Sequence, residues 1–198
     1  MQRYDPATAL VIVDLQNDFA DPAGGLSVAG GETIVSIVNH EVARAQAGGA
    51  TIIATQDWHP ESTPHFAKNG GVWPTHCVAE TWGAALHPDL MIPDDTPVVR
   101  KGANGEDGYS GFTMRDPTTG EEIPTELDAL LRAVGTRRVV VVGLATDYCV
   151  KATALDAVLL GYETALVVEA VAAVDLTPGD GHLAIDAMRN AGVALCQA

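Results

Sequence analysis

A three-layer α/β/α sandwich built on a central, mainly parallel six-stranded sheet is the fold class that this 198-residue sequence predicts. Three observations predict it: six short β-rich apolar runs, helical patterns set between them, and a hydrophobic fraction of 47%. Runs that are apolar at consecutive positions suit strands buried on both faces, as in parallel sheets. Strand alternating with helix is the pattern of a parallel sheet covered on both sides. Length and apolar content together suit one domain, 1–198, with a sizeable core.

The strand runs fall at 9–13, 51–55, 97–100, 138–143, 164–168 and 193–195. After the first, Ile34, Ile37, Val38, Val42 and Ala45 recur at helical spacing, and Gly48-Gly49 supplies the stop before the second strand. Val150, Ala154, Leu155, Val158 and Leu159 repeat that spacing up to Gly161, and segments 124–134 and 181–191 complete the alternation. Two stretches, 56–96 and 102–122, are too long and too rich in Gly, Pro, His and aromatics to be plain connections. Such excursions often carry function, and the first reads as a metal-binding insertion. No repeat, low-complexity segment or linker interrupts the pattern.

Eleven basic against 26 acidic residues give a net charge of -15. That balance repels phosphate backbones and anionic lipid heads, which argues against nucleic-acid and membrane partners. The first twenty residues hold no basic segment leading into a long apolar run, and the run at 9–13 is far too short to span a bilayer. Three cysteines, Cys77, Cys149 and Cys196, are an odd and irregularly spaced set, unlike a secreted disulfide framework. A reducing cytoplasm with a working thiol fits them better.

In open α/β sheets the ligand crevice lies beyond the carboxyl ends of the strands. Asp14 follows the first run, Gln56-Asp57-Trp58-His59 the second, Lys101 the third, and the segment 143–149 the fourth. Cys149 lies just past a loop, at the start of the helix running toward Leu160, with Thr146 or Asp147 available as N-cap. A helix N-terminus and the Lys101 ammonium would favour thiolate, and Asp14 could take the thiol proton and later deliver it to a leaving amine. Taken singly, each residue has an ordinary reading: a packing cysteine, a capping aspartate, a solvated lysine. Joint placement at three strand exits argues for a nucleophile, base and cation set.

A second cluster is Asp57, His59, His65 and His76. Imidazole with carboxylate suits Zn, Fe or Mn better than Ca or Mg. On an extended segment Asp57 and His59 point to the same side, and the following loop could fold the other two histidines back toward them. Cys77, beside His76, is also a ligand type. Three imidazoles and one carboxylate already complete a set that leaves positions open for water or substrate.

The segments ALVIVDLQNDF (9–19), QDWHP (56–60), HF (65–66), WPTHCV (73–78), RKG (100–102) and GLATDYCV (143–150) resemble, in order, the nicotinamidase branch of the isochorismatase-like cysteine hydrolases. The resemblance implies the isochorismatase-like hydrolase fold, a catalytic triad at Asp14, Lys101 and Cys149, and one divalent metal ion held by Asp57, His59, His65 and His76. It also implies a cis peptide at Leu144–Ala145 that turns the Ala145 and Cys149 N–H groups toward a shared oxyanion hole. Phe19, Trp73 and Tyr109 would wall a pyridine ring, with Tyr109 placed by the similarity of GYSGF (108–112) to the family's aromatic loop. The stretch 113–122 has no assignment. Nicotinamide is then the expected small-molecule substrate, hydrolysed to nicotinate and ammonia for NAD salvage, with pyrazinamide an alternative amide. A homo-oligomer is expected from relatives, without a segment that marks its interface.

Three rival readings remain at this point. A relative acting on another bond, such as an isochorismatase, a carbamoyl amidase or another small-amide hydrolase, would by the same resemblance usually lack the Asp-x-His pair and later histidines. A metal-storage or metal-sensing module would bind metal without amidase activity. An interaction protein on the same fold would have no use for an intact triad.

Overall fold

The computed structural model describes residues 4–198, so the start of the expected 1–198 domain lies outside the described residues. Strands β1 (Thr8–Val13), β2 (Thr51–Asp57), β3 (Val98–Lys101), β6 (Arg138–Leu144), β7 (Glu163–Ala172) and β8 (Ala194–Cys196) form one sheet. Its order is β3-β2-β1-β6-β7-β8, and every adjacent pair is parallel. The fold class read from the sequence is therefore the one observed, with the sheet wholly parallel.

Alternation along β1 generates the three layers, because successive side chains of a strand face opposite sides. Leu10 and Ile12 join a core with Val35, Val38, Val42 and Ala45 of α2 (Gly31–Gly48), on which Trp58, Leu86 and Ile92 of the long excursion also pack. Ala9, Val11 and Val13 join the opposite core, with Leu127 and Leu131 of α3 (Leu127–Ala133), Ala154 and Ala157 of α4 (Lys151–Leu159), and Met188 of α5 (Asp180–Asn190). Helix α2 ends where expected, at Gly49, whose left-handed φ of 71° lets its N–H turn back to the carbonyls of Ala45 and Gln46.

Two local readings need correction, and one short element had no reading. Pro124 does not open a helix: it closes β5 (Glu122–Pro124), which pairs antiparallel with β4 (Thr113–Arg115), so the unassigned 113–122 stretch is a small hairpin. A single helical turn, α1 (Asn17–Ala20), follows the first strand exit and is too short to show a period. Neither Thr146 nor Asp147 caps a helix at the fourth exit. The turn Thr146–Val150 is a π-turn preceded by Ala145, and no side chain caps it. Asp147 instead accepts the backbone N–H groups of Val174 and Asp175, both at 2.9 Å, and so ties the segment after β7 to this turn.

The strand order reverses direction between β1 and β6, the place where such sheets open a crevice. Gly143 makes the close approach there possible. Its φ is +111°, and a Cβ at this position would stand 2.1 Å from the Val13 carbonyl oxygen.

Candidate active site and metal centre

Sheet register sets the first cluster. Asp57 and Lys101 are opposite one another as the last residues of β2 and β3, and Val13 is opposite Gly143 just before Asp14. Lys101 is 1% exposed, and its Nζ lies 2.7 Å from Asp14 Oδ2 and 2.8 Å from Asp57 Oδ1. The same ammonium points at Cys149 Sγ at 3.6 Å and donates to the Tyr109 carbonyl at 3.2 Å. The Thr55 hydroxyl donates to Asp14 Oδ1 at 2.6 Å, which fixes the carboxylate's second oxygen.

Burial drives the electrostatics, and the ion pairs decide the outcome. Burial pushes the Asp14 carboxyl up, with Asp57 adding to the rise and Lys101 opposing it. Asp57 is pushed up by burial too, yet Lys101, His59 and His76 together pull it down to about 2. Lys101 is depressed by burial, but the two carboxylates hold it charged, well above the ordinary lysine range. For Cys149 burial wins. Despite Lys101, burial and the two carboxylates raise the thiol well above its ordinary value, with the S–H hydrogen-bonded to Asp14. The expected resting thiolate is thus corrected to a protonated thiol hydrogen-bonded to Asp14.

The Leu144–Ala145 peptide is cis. The Ala145 carbonyl then accepts the N–H groups of Tyr148 (3.1 Å) and Val150 (3.0 Å), passing over that of Cys149 between them.

Beside this centre, ring nitrogens of His59, His65 and His76 lie within 4.8 Å of one another. Asp57 is not part of that tight trio; its Oδ2 reaches it through His59 Nε2, at 3.9 Å. Two of the imidazoles are oriented from behind: His65 Nδ1 by Asp107 Oδ1 at 2.9 Å, and His76 Nδ1 by the Pro74 carbonyl at 2.7 Å. Each partner accepts a hydrogen bond from Nδ1–H, which leaves Nε2 with the lone pair. Both ring nitrogens of His59 are buried without a hydrogen-bond partner. Burial lowers His59 to about 4 and lowers His76 as well, so these rings are neutral lone-pair donors. The neutral His59 ring with its two orphaned nitrogens, converging with His65 and His76 next to an ionised carboxylate, fits a divalent cation. Gly102 keeps this space open, since a Cβ there would meet His59 Nδ1 at 2.7 Å. Cys77 is not a member of the cluster; its backbone N–H is held by Asp18 Oδ2 at 2.6 Å.

Both clusters open into one pocket of about 350 Å³, counted to its mouth, whose walls include Phe19, Trp73, Tyr109, Ala145 and Cys149. The Trp73 indole N–H donates to the Tyr109 hydroxyl at 3.1 Å, which joins two of these walls.

The isochorismatase domain model matches residues 8–198. The chain belongs to the isochorismatase family. Within that family it is 38% identical over 206 residues to the nicotinamidase of Escherichia coli (strain K12), covering 96% of this chain and 94% of that one. It is similar to the pyrazinamidase of Pyrococcus horikoshii solved in complex with zinc, with TM-score 0.87, 39% identity, and coverage of 98% of this chain and 100% of that one. It is also similar to PnC1 from L. infantum in complex with nicotinate, with TM-score 0.89, 36% identity, and coverage of 99% and 96%.

All eleven residues singled out in this isochorismatase-family sequence converge on the two clusters and their pocket. Four contributors had gone unmarked. Gln16 clamps the Asp57 backbone, accepting its N–H at 2.8 Å and donating to its carbonyl at 2.7 Å. Thr55 holds Asp14, Asp107 holds His65, and Tyr148 completes the aromatic wall with ring centroids 4.8 Å from Trp73 and 5.2 Å from Tyr109. Gln16 and Tyr148 lie inside the family-like segments, where their own chemistry could have marked them. Asp107 has no sequence signal.

Proposed function

We propose that this chain is a nicotinamidase, hydrolysing nicotinamide to nicotinate and ammonia through a thioester on Cys149, and accepting pyrazinamide as well. The observation that carries the reading is one buried ammonium, Lys101, in simultaneous contact with Asp14, Asp57 and Cys149, the last two of which line an aromatic pocket together with His65 and His76.

Asp14 accepts the thiol proton as Sγ attacks the amide carbon, and the oxyanion develops toward the N–H groups of Ala145 and Cys149. Asp14 then gives that proton to the departing ammonia. Burial favours a carboxyl that can hold a proton in transit, and Lys101 keeps it ionised at the start. Asp14 next deprotonates a water that attacks the thioester, which releases nicotinate and restores the thiol. Phe19, Trp73, Tyr109 and Tyr148 hold the ring and exclude bulk water. Asp57, His59, His65 and His76 would hold one divalent ion, zinc, iron or manganese, whose Lewis acidity would anchor and polarise the ring end of the substrate.

Ammonia release from nicotinamide and pyrazinamide tests the proposal, before and after chelation and metal return. Turnover of another small amide with none of nicotinamide would overturn the substrate, and full turnover after exhaustive chelation would overturn the metal's role. Among the described residues no helix is long and apolar enough to cross a membrane.

A further inference from the structure

The excursion 102–122 does more than carry Tyr109. Its other feature is Asp107, 42 residues from His65 in the chain and 2.9 Å from that ring's Nδ1. Asp107 is itself held at a fixed place. Its N–H donates to the Arg115 carbonyl at 2.8 Å and its carbonyl accepts the Arg115 N–H at 2.6 Å, which anchors it to the last residue of β4. The Arg115 guanidinium approaches Oδ2 at 3.4 Å, and the Gly108 N–H donates to Oδ1 at 2.9 Å. Two residues on, the Tyr109 carbonyl accepts from Lys101 and its hydroxyl from Trp73.

We propose that Asp107 is a positioning residue for the metal centre: by accepting a hydrogen bond from the Nδ1–H of His65 it fixes that ring's tautomer and aims Nε2 into the trio, with the β4–β5 hairpin as its scaffold. This rests on the reading of the histidine cluster as a metal site. An outer carboxylate on a ligating imidazole ordinarily changes metal affinity by about 10–100-fold. The arrangement also binds the metal centre to the ring wall through one loop, since the residue that orients His65 stands two positions from Tyr109.

The test is the affinity of the full-length protein for Zn²⁺, measured by competition with a chromophoric chelator. Asp107→Ala is expected to weaken Zn²⁺ about 10–100-fold. Asp107→Asn, whose side-chain carbonyl still accepts from Nδ1–H, is expected to stay within a few-fold of wild type. A role confined to loop shape predicts something different: a raised KM for nicotinamide in Asp107→Ala with Zn²⁺ affinity intact. That result, alongside loss of Zn²⁺ in His59→Ala, overturns the inference and leaves the proposed function standing. Absence of Zn²⁺ binding by the wild-type protein overturns the inference together with the reading of the histidine cluster as a zinc site, and leaves the amidase reading to the ammonia-release assay.

Discussion

The two clusters that share the pocket are held by opposite means. The Asp14, Lys101 and Cys149 cluster sits on strand ends, with Lys101 saturated by three polar contacts and a thiol, and Asp14 by Lys101 and Thr55. The histidine trio sits on a loop with little regular structure, with a buried ring, His59, that has no hydrogen-bond partner at either nitrogen. One centre is electrostatically closed by the chain itself. The other is left open by the chain, and buried polar groups left open call for a partner. On the proposed function, chemistry that must occur with fixed geometry is built on the sheet, and the site for an exchangeable component on the excursion.

The largest expected effect is on turnover alone. Cys149→Ala should reduce ammonia release from nicotinamide by at least about 10⁴-fold, as loss of a nucleophile does. Cys149 packs beside Val150 and Ala154 with only its sulfur removed, so the thermal midpoint should stay close to wild type. Residual turnover near one-tenth of wild type would dismantle the covalent scheme.

Lys101→Met strikes the same centre through its charge. It leaves the Asp14 and Asp57 carboxylates buried together without their cation, and losing one partner of a buried pair costs about 3–5 kcal/mol. Denaturant unfolding at pH 7 should register that loss, with part of it recovered on acidification as one carboxyl takes a proton. A variant as stable as wild type would mean that the ammonium contributes little to holding these strand ends.

The open centre predicts a pH response. The unfolded His59 imidazole titrates near 6.5 and the folded one at about 4, so between these values only the unfolded chain takes up the proton. Stability of the metal-free protein is therefore full above pH 6.5 and declines as pH falls to 4, by roughly 3 kcal/mol for this ring. His76 is shifted in the same direction and shares the limb. Asp57, depressed to about 2, adds a second loss only below its unfolded value of 3.8. Urea midpoints measured from pH 7 to 3 after chelation should show the first limb, and His59→Leu should shrink it. Because the raised Asp14 carboxyl contributes the opposite slope, the deciding comparison is between variants: a pH profile that His59→Leu leaves unchanged contradicts the neutral buried ring.

The closed centre was also the more legible one. Strands buried on both faces read as apolar runs, and reactive residues at their ends are placed by topology, so Asp14, Lys101 and Cys149 could be drawn together without contact information. The histidines were visible as ligand types. Their supporting groups were not, because Asp107 meets His65 only through the folded hairpin, and strands of three residues with exposed positions carry no readable alternation. Asp147 misled for a similar reason. Its position before a helix matches an N-cap, whereas its carboxylate serves the segment near Val174, 27 residues away. The thiol's protonation was misjudged because burial is a property of the fold, and here burial outweighs the lysine.

Tyr148 offers the smallest effect and the finest division between the two centres. It stands in the nucleophile turn, next to Cys149, yet its ring meets Trp73 and Tyr109 edge-on and so belongs to the wall that the histidine side of the pocket shares. Aromatic pairs of this kind contribute about 0.5–1.5 kcal/mol each beyond area, which corresponds to roughly 2–12-fold in binding. Tyr148→Leu keeps an apolar side chain and removes only the ring contacts. A wall residue should then show KM for nicotinamide raised by a few-fold with kcat within about twofold. If kcat falls and KM stays, the ring is acting on the Cys149 turn, and the division between a closed catalytic centre and an open binding centre does not pass where these contacts place it.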